Sequence, residues 1–138
     1  MSTPTLSVVV ATYNRPDLIR LLVQDLLEQT LPRREYEILV IDAGSKEDVR
    51  PVLADLANDG TLRVERQANS GAGAARQHGA ELSKGRILVF LDDDMRVSRD
   101  FLRAHRDART NETTVVLGRL LPAESIASMP LFERFFAT

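Results

Sequence analysis

Cysteine and tryptophan are absent from this 138-residue chain, and aromatic residues make up only 5% of it. The lack of cysteine removes disulfides, thiolate zinc sites and cysteine nucleophiles together, so a bound metal would be held by oxygen, and the composition fits a reducing compartment. Positive charge is not in excess either. The formal net charge of −2 offers no bulk attraction to nucleic acid or to an anionic membrane, which argues against nucleic-acid binding and leaves phosphate recognition to local geometry. No apolar run approaches the ~20 residues needed to span a bilayer, and the N-terminus has no basic segment leading into an apolar signal core. A cytoplasmic location, or one on the cytosolic face of a membrane, is expected. What is present, 43% hydrophobic and 28% charged residues, is the balance of one soluble globular domain with a proper core, free of repeats and low-complexity linkers.

Strand and helix patterns alternate along the chain. Leu6 to Ala11 reads as a buried strand, and Asn14-Arg15-Pro16-Asp17 supplies an N-cap, an early proline and an acidic first turn for a helix. Leu18, Ile19, Leu22, Val23 and Leu26 give that helix one apolar face, and Pro32 marks its end. A second strand runs from Ile38 to Ile41, and Val49, Val52, Leu53 and Leu56 space a second helix broken at Asn58-Asp59-Gly60. Leu62 to Arg66 alternates as a more exposed strand nearer an edge. A third helix opens at Gly71 and runs through Leu82, a buried strand follows at Ile87 to Leu91, Ser98 caps a helix around Phe101 and Leu102, and Thr113 to Leu117 reads as a last strand. This order predicts a mainly parallel, Rossmann-like α/β sheet with helices on both faces.

The most informative residues are Asp92, Asp93 and Asp94, which follow the apolar run directly. Three like charges where a strand leaves its sheet need a counter-ion. Carboxylate oxygens suit Mg²⁺ or Mn²⁺, which are usually held by one or two carboxylates with substrate phosphates completing the shell. A solvated acidic turn explains the triplet equally well. In a parallel sheet, however, ligands bind outside the carboxyl ends of the strands, and the other exits also carry unusual chemistry. Thr12-Tyr13-Asn14-Arg15 follows the first strand, Asp42-Ala43-Gly44-Ser45 the second, and Asn69-Ser70-Gly71-Ala72-Gly73 the third. An aromatic ring, an acidic turn, a Gly-rich helix start and a carboxylate cluster together describe a pocket for a base, a sugar and a diphosphate.

Four segments, Val8 to Arg15, Glu37 to Asp42, Asn69 to Gln77 and Gly85 to Asp94, resemble in order and spacing the successive signatures of family 2 glycosyltransferases with the GT-A fold. The resemblance runs from about residue 6 to about residue 118. It implies a nucleoside-diphosphate sugar donor, an unknown saccharide, lipid or protein acceptor, and an inverting, metal-dependent transfer. Asp92-Asp93-Asp94 matches the family's DXD motif, which implies that Asp94 contacts Mg²⁺ or Mn²⁺, with Asp92 as the formal partner, and that Asp92 or Asp93 holds the ribose or the metal's water. Tyr13 matches the position that stacks on the nucleobase, within a Thr12-to-Arg15 donor turn. Asp42 lies in the family's Asp-Asp-Gly-Ser turn, and Arg76 matches an arginine beside the nucleotide. Taken alone, each has a plainer explanation: Tyr13 as packing, Asp42 as a turn cap and Arg76 as an ion-pair partner.

Two departures from the family matter. Ala43 stands where the family's second acid usually reads the imide N–H of uracil, and it cannot accept that hydrogen bond, which puts uridine recognition in doubt. The chain also stops at Thr138, before the part that in the family binds the acceptor and carries the catalytic base. Residues 1–118 are therefore expected to bind the nucleotide sugar, and 119–138 to begin the acceptor side. The expected fold is a GT-A sheet truncated after its metal-binding half. Glu124 and Glu133 read as surface acids, so the base is unassigned, while Leu131, Phe132, Phe135 and Phe136 form an apolar face suited to self-association. The alternatives are a catalytically silent nucleotide-binding remnant and a NAD(P)-binding domain. The second fits Gly71-Ala72-Gly73 after a strand, but Arg76 replaces the third glycine of that fingerprint and the preceding strand is charged. His78 and His105 lack ligand partners at metal spacing and read as structural.

Overall fold

Val8, Val9 and Val10 stiffen the first strand and pack well on a pleated surface, and in a computed structural model of the chain they lie at the centre of the sheet. The structure describes residues 3–56, 59–109, 111 and 114–118. By contact, the chain divides into one unit spanning Met1–Ala108 and a second spanning Arg109–Thr138.

Within the first unit, β1 (Leu6–Thr12), β2 (Tyr36–Asp42), β3 (Leu62–Arg66) and β4 (Ile87–Asp92) form a four-stranded parallel sheet in the order β3-β2-β1-β4. Val8 pairs with Ile38 on one side and with Val89 on the other. The chain steps outward from β1 to β2 to β3, then returns across the sheet to lay β4 beside β1. The order therefore reverses at β1 and β4, which opens a crevice at their carboxyl ends.

Alternate side chains of each strand serve opposite faces. Leu6, Val8, Val10, Ile38, Val40, Val89 and Leu91 form one core with Ile19, Leu22, Val23 and Leu26 of α1 (Pro16–Leu27), Leu53 of α2 (Arg50–Leu53) and Leu102 of α4 (Phe101–Ala108). On the other face lies α3 (Gly71–Leu82), with Ala75 against Ile41 and Ala43. Gly79 sets how closely α3 approaches, since a Cβ there would lie 2.4 Å from Val9 Cγ1. The sheet is thus covered by helices on both faces, and β3 lies at an edge, as the sequence pattern predicts.

At the entry end of the sheet, polar groups close on one another. Buried Ser7 donates to Glu37 Oε1 at 2.8 Å, Glu37 Oε1 also accepts from Lys84 N at 2.8 Å, and Ser7 Oγ accepts from Gly85 N at 2.8 Å. This triangle anchors the α3–β4 connection to β1 and β2.

Four expectations are corrected. Strand β4 is not buried on both faces: Leu88 is 39% and Phe90 48% exposed, because α3 covers β1 and β2 on that side. The second helix has only four residues. Residues 114–118 form no strand, and Val115 and Leu117 are exposed. Helix α1 begins with Pro16 at its first turn and Arg15 at the N-cap, without a side-chain cap, because Asn14 is engaged elsewhere. His105 packs at a tilt of 60° against Phe101 with ring centroids 4.5 Å apart, and burial lowers its pKa, in keeping with a structural role. No helix among the described residues is long and apolar enough to cross a membrane. Glu124, Leu131, Phe132, Glu133, Phe135 and Phe136 lie outside the described residues.

Candidate functional site

The crevice predicted by the strand order is a cleft of about 380 Å³, within the size range of small-molecule and cofactor sites. All four strand exits line it. The β1 exit contributes Thr12, Tyr13 and Arg15, the β2 exit Ala43, the β3 exit and start of α3 Asn69, Gly71 and Arg76, and the β4 exit Asp92, Asp93 and Asp94.

The three aspartates do different things: Asp92 ends β4, and the turn that follows directs Asp93 and Asp94 to opposite sides. Asp93 is only 7% exposed and points inward. Its Oδ2 accepts from Thr12 Oγ1 at 3.0 Å and its Oδ1 from Arg15 Nη1 at 3.1 Å, so it ties the β4 exit to the β1 exit. The Asp92 and Asp94 side chains are 64% and 55% exposed. Asp92 Oδ1 accepts from Arg76 Nη2 at 2.7 Å, and Asp94 Oδ2 lies 3.8 Å from Arg15 Nη1. Two guanidiniums therefore offset the like charges that the sequence places side by side. Tyr13 is 45% exposed at the cleft.

Asp42, which the resemblance counts among the donor-binding residues, lies behind the cleft wall. It is fully buried and does not line the cleft, where its neighbour Ala43 stands in its stead. Asp42 Oδ1 accepts from Ser45 N at 2.9 Å, while Oδ2 has no hydrogen-bond partner among the described residues and lies 3.8 Å from Arg66 Nε. The turn beyond it is tightly seated. Gly44 has a φ of 90°, and a Cβ there would lie 2.9 Å from Asn69 N, so the β2 and β3 exits touch through backbone.

Asn14 and Ser45, which the sequence marks only as members of a capping stretch and of strand exits, join those exits to one another. Asn14 N donates to Ser45 Oγ at 2.8 Å, and Asn14 Oδ1 accepts from Lys46 N at 2.8 Å. The only hint in the sequence is that an asparagine sits in a turn, where it tolerates the left-handed region. The dinucleotide alternative fails on topology. The Gly71-Ala72-Gly73 turn follows β3, an edge strand, and the order reverses instead between β1 and β4.

Fold and cleft together define a doubly wound α/β protein with its cleft at the switch point of the sheet. Residues 7–125 match the model of Glycosyl transferase family 2, and the chain belongs to that family. It is 32% identical over 119 residues to a poly(ribitol-phosphate) beta-glucosyltransferase of Bacillus spizizenii, a match covering 83% of this chain and 19% of that protein. Among solved structures it resembles S. aureus TarS 1-349 in complex with UDP-GlcNAc, with a TM-score of 0.70 and 28% identity over 75% of this chain and 30% of that one. It also resembles the mannosyltransferase PcManGT of Pyrobaculum calidifontis in complex with GDP-Man and Mn²⁺, with a TM-score of 0.67 and 27% identity over 74% of this chain and 31% of that one. The chain thus spans a third or less of the length of these proteins. The GT-A architecture expected from the sequence is the one observed.

Proposed function

We propose that this chain binds a nucleoside-diphosphate sugar in the cleft and forms the donor side of a glycosyltransferase, which inverts the sugar on transfer to an acceptor and depends on Mg²⁺ or Mn²⁺. The observation that carries this reading is the convergence of all four strand exits on one cleft at the switch point, with two exposed carboxylates at its edge. UDP-GlcNAc and GDP-Man in the similar structures support the donor class.

Each lining residue has a task under this reading. Tyr13 presents an aromatic face on which a base can stack. Arg15 and Arg76 offer planar guanidiniums, which suit diphosphate oxygens. Asp93 holds Thr12 and Arg15 in place, and Asp92, exposed at the cleft, is the carboxylate assigned to the ribose or the metal's water. Residues 1–118 supply the donor side, while the acceptor side assigned to 119–138 lies outside the described residues.

The donor set fits a hard divalent cation. Among the described residues no group of three His, Asp or Glu side chains converges on one point, so the protein offers the exposed Asp94 and Asp92 and leaves further positions to phosphate oxygens. Such ions commonly use this arrangement. Asp94 and Asp92 would hold the ion, which when bound offsets the negative charge developing on the departing diphosphate.

Asp94→Asn tests the assignment by thermal shift. Wild-type chain with uridine or guanosine diphosphate should gain stability on adding Mn²⁺, by about 2.7 kcal/mol at a hundredfold excess over Kd. The variant should lose that metal-dependent gain while its free form melts no lower. Retention of the gain would place the metal elsewhere.

A further inference from the structure

Tyr13 and Arg15 enter the cleft from one turn, and Asn14 between them has a φ of 54°. Arg15 is held independently, by Asp93 at 3.1 Å. Tyr13 has no hydrogen-bond partner among the described residues and projects from the backbone that Asn14 fixes. That backbone is tied on both sides of the asparagine, by Asn14 N to Ser45 Oγ and by Lys46 N to Asn14 Oδ1, each at 2.8 Å.

The tie has a buried root. Ser45 is 2% exposed, its N donates to Asp42 Oδ1 at 2.9 Å, and its carbonyl accepts from Arg66 Nη2. Arg66 Nε in turn lies 3.8 Å from Asp42 Oδ2. A fully buried carboxylate that does not line the cleft is thus connected to its aromatic wall through two residues. We propose that Asp42, Ser45 and Asn14 form a positioning relay, which fixes the turn in its left-handed conformation and so sets the orientation of Tyr13 and the affinity for nucleotide without touching it. The inference rests on the nucleotide-binding reading of the cleft. A turn held in its bound form before the ligand arrives does not have to be ordered during binding, and affinity rises accordingly.

The test is a set of variants measured by calorimetry with uridine and guanosine diphosphate in the presence of Mn²⁺. Asn14→Ala and Ser45→Ala should each weaken binding by about five- to tenfold, the scale of one lost hydrogen bond. Asn14→Asp keeps both the acceptor and the tolerance for the left-handed region, and should stay within about twofold of wild type. In a Tyr13→Ala background, Asn14→Ala should change affinity by less than about twofold, because the ring it orients is gone. Equal losses in both backgrounds would show a merely structural effect and overturn the relay. Ring NMR signals without ligand keep the two readings separate: Asn14→Ala should shift Tyr13 and leave Tyr36 unmoved. A wild-type chain that binds neither nucleotide while Tyr13 still shifts would refute the nucleotide reading, and with it the effect on affinity, but not the orienting of Tyr13 by Asn14, whereas an unmoved Tyr13 would refute the relay.

Discussion

The two ends of the sheet are built from similar residues and put to opposite uses. At the entry end, Ser7, Glu37 and the amides of Lys84 and Gly85 satisfy one another at 2.8 Å, with Ser7 and Glu37 buried. At the exit end, the carboxylates of Asp92 and Asp94 stay exposed beside the part-exposed guanidiniums of Arg76 and Arg15. The comparison teaches that burial of polar groups does not mark the working end of this fold. A buried polar group closed on its neighbours stabilises the sheet, whereas an exposed charge beside an exposed ring is available to a ligand.

Glu37→Ala should break the comparison most visibly. It leaves Ser7 Oγ and Lys84 N without their shared acceptor, and orphaned buried groups cost about 1–3 kcal/mol each, so a loss of about 3 kcal/mol is expected in urea unfolding. Nucleotide affinity of the remaining folded chain should be unchanged. A parallel fall in affinity would mean that the two ends are energetically one unit.

At the exit end, Ala43→Asp sharpens the same contrast with a smaller effect. Ala43, though only 3% exposed, lines the cleft and Asp42 does not, so a carboxylate at position 43 would reach the ligand side. Affinity for uridine diphosphate should rise by about 1 kcal/mol relative to guanosine diphosphate. An unchanged ratio in a competition assay would show that the base lies away from position 43.

Acid provides the mildest probe, because it touches both ends together. The Asp48 carboxyl is held down to about 2 by hydrogen bonds from the Arg50 side chain and backbone, and the Asp59 carboxyl to about 2 by the Thr61 backbone and Arg33. A carboxyl whose pKa is depressed on folding contributes stability that is fully present above its unfolded value, near 3.8, and is lost as pH falls through the folded one. Stability should therefore decline modestly between about pH 4 and pH 2. Asp59→Asn and Asp48→Asn should each flatten part of that decline in acid titrations followed by circular dichroism.

Much of this was legible in the sequence for reasons that can be named. Val8-Val9-Val10 and Ile38 to Ile41 are continuous apolar runs, the mark of strands covered on both faces, and the alternation of Leu62 to Arg66 marks an edge. Ile87 to Leu91 has the same apolar character but an open face, since composition records that a strand belongs to a sheet and not how far a helix from elsewhere in the chain extends over it. The cleft was legible as a set of strand exits, and the aspartate triplet as its charged edge. The division of labour within the triplet was not, because it depends on the turn after β4, which buries Asp93 and exposes Asp92 and Asp94. Nor was it legible that Asp42 and Ala43 would both be buried, with Ala43 alone reaching the cleft lining. Asn14 eluded the pattern because its hydrogen bonds run to Ser45 and Lys46, across the sheet's carboxyl edge.

The seating of the two tyrosines has a practical consequence. With no tryptophan in the chain, near-ultraviolet absorption and emission come chiefly from Tyr13 and Tyr36. Tyr36 is sealed at 2% exposure with its hydroxyl donating to the Leu26 carbonyl at 2.7 Å, and burial raises its pKa. A solvent-borne reagent such as a nitrating agent or a collisional quencher should therefore meet one ring only. The chain carries its own optical label, at the mouth of the cleft.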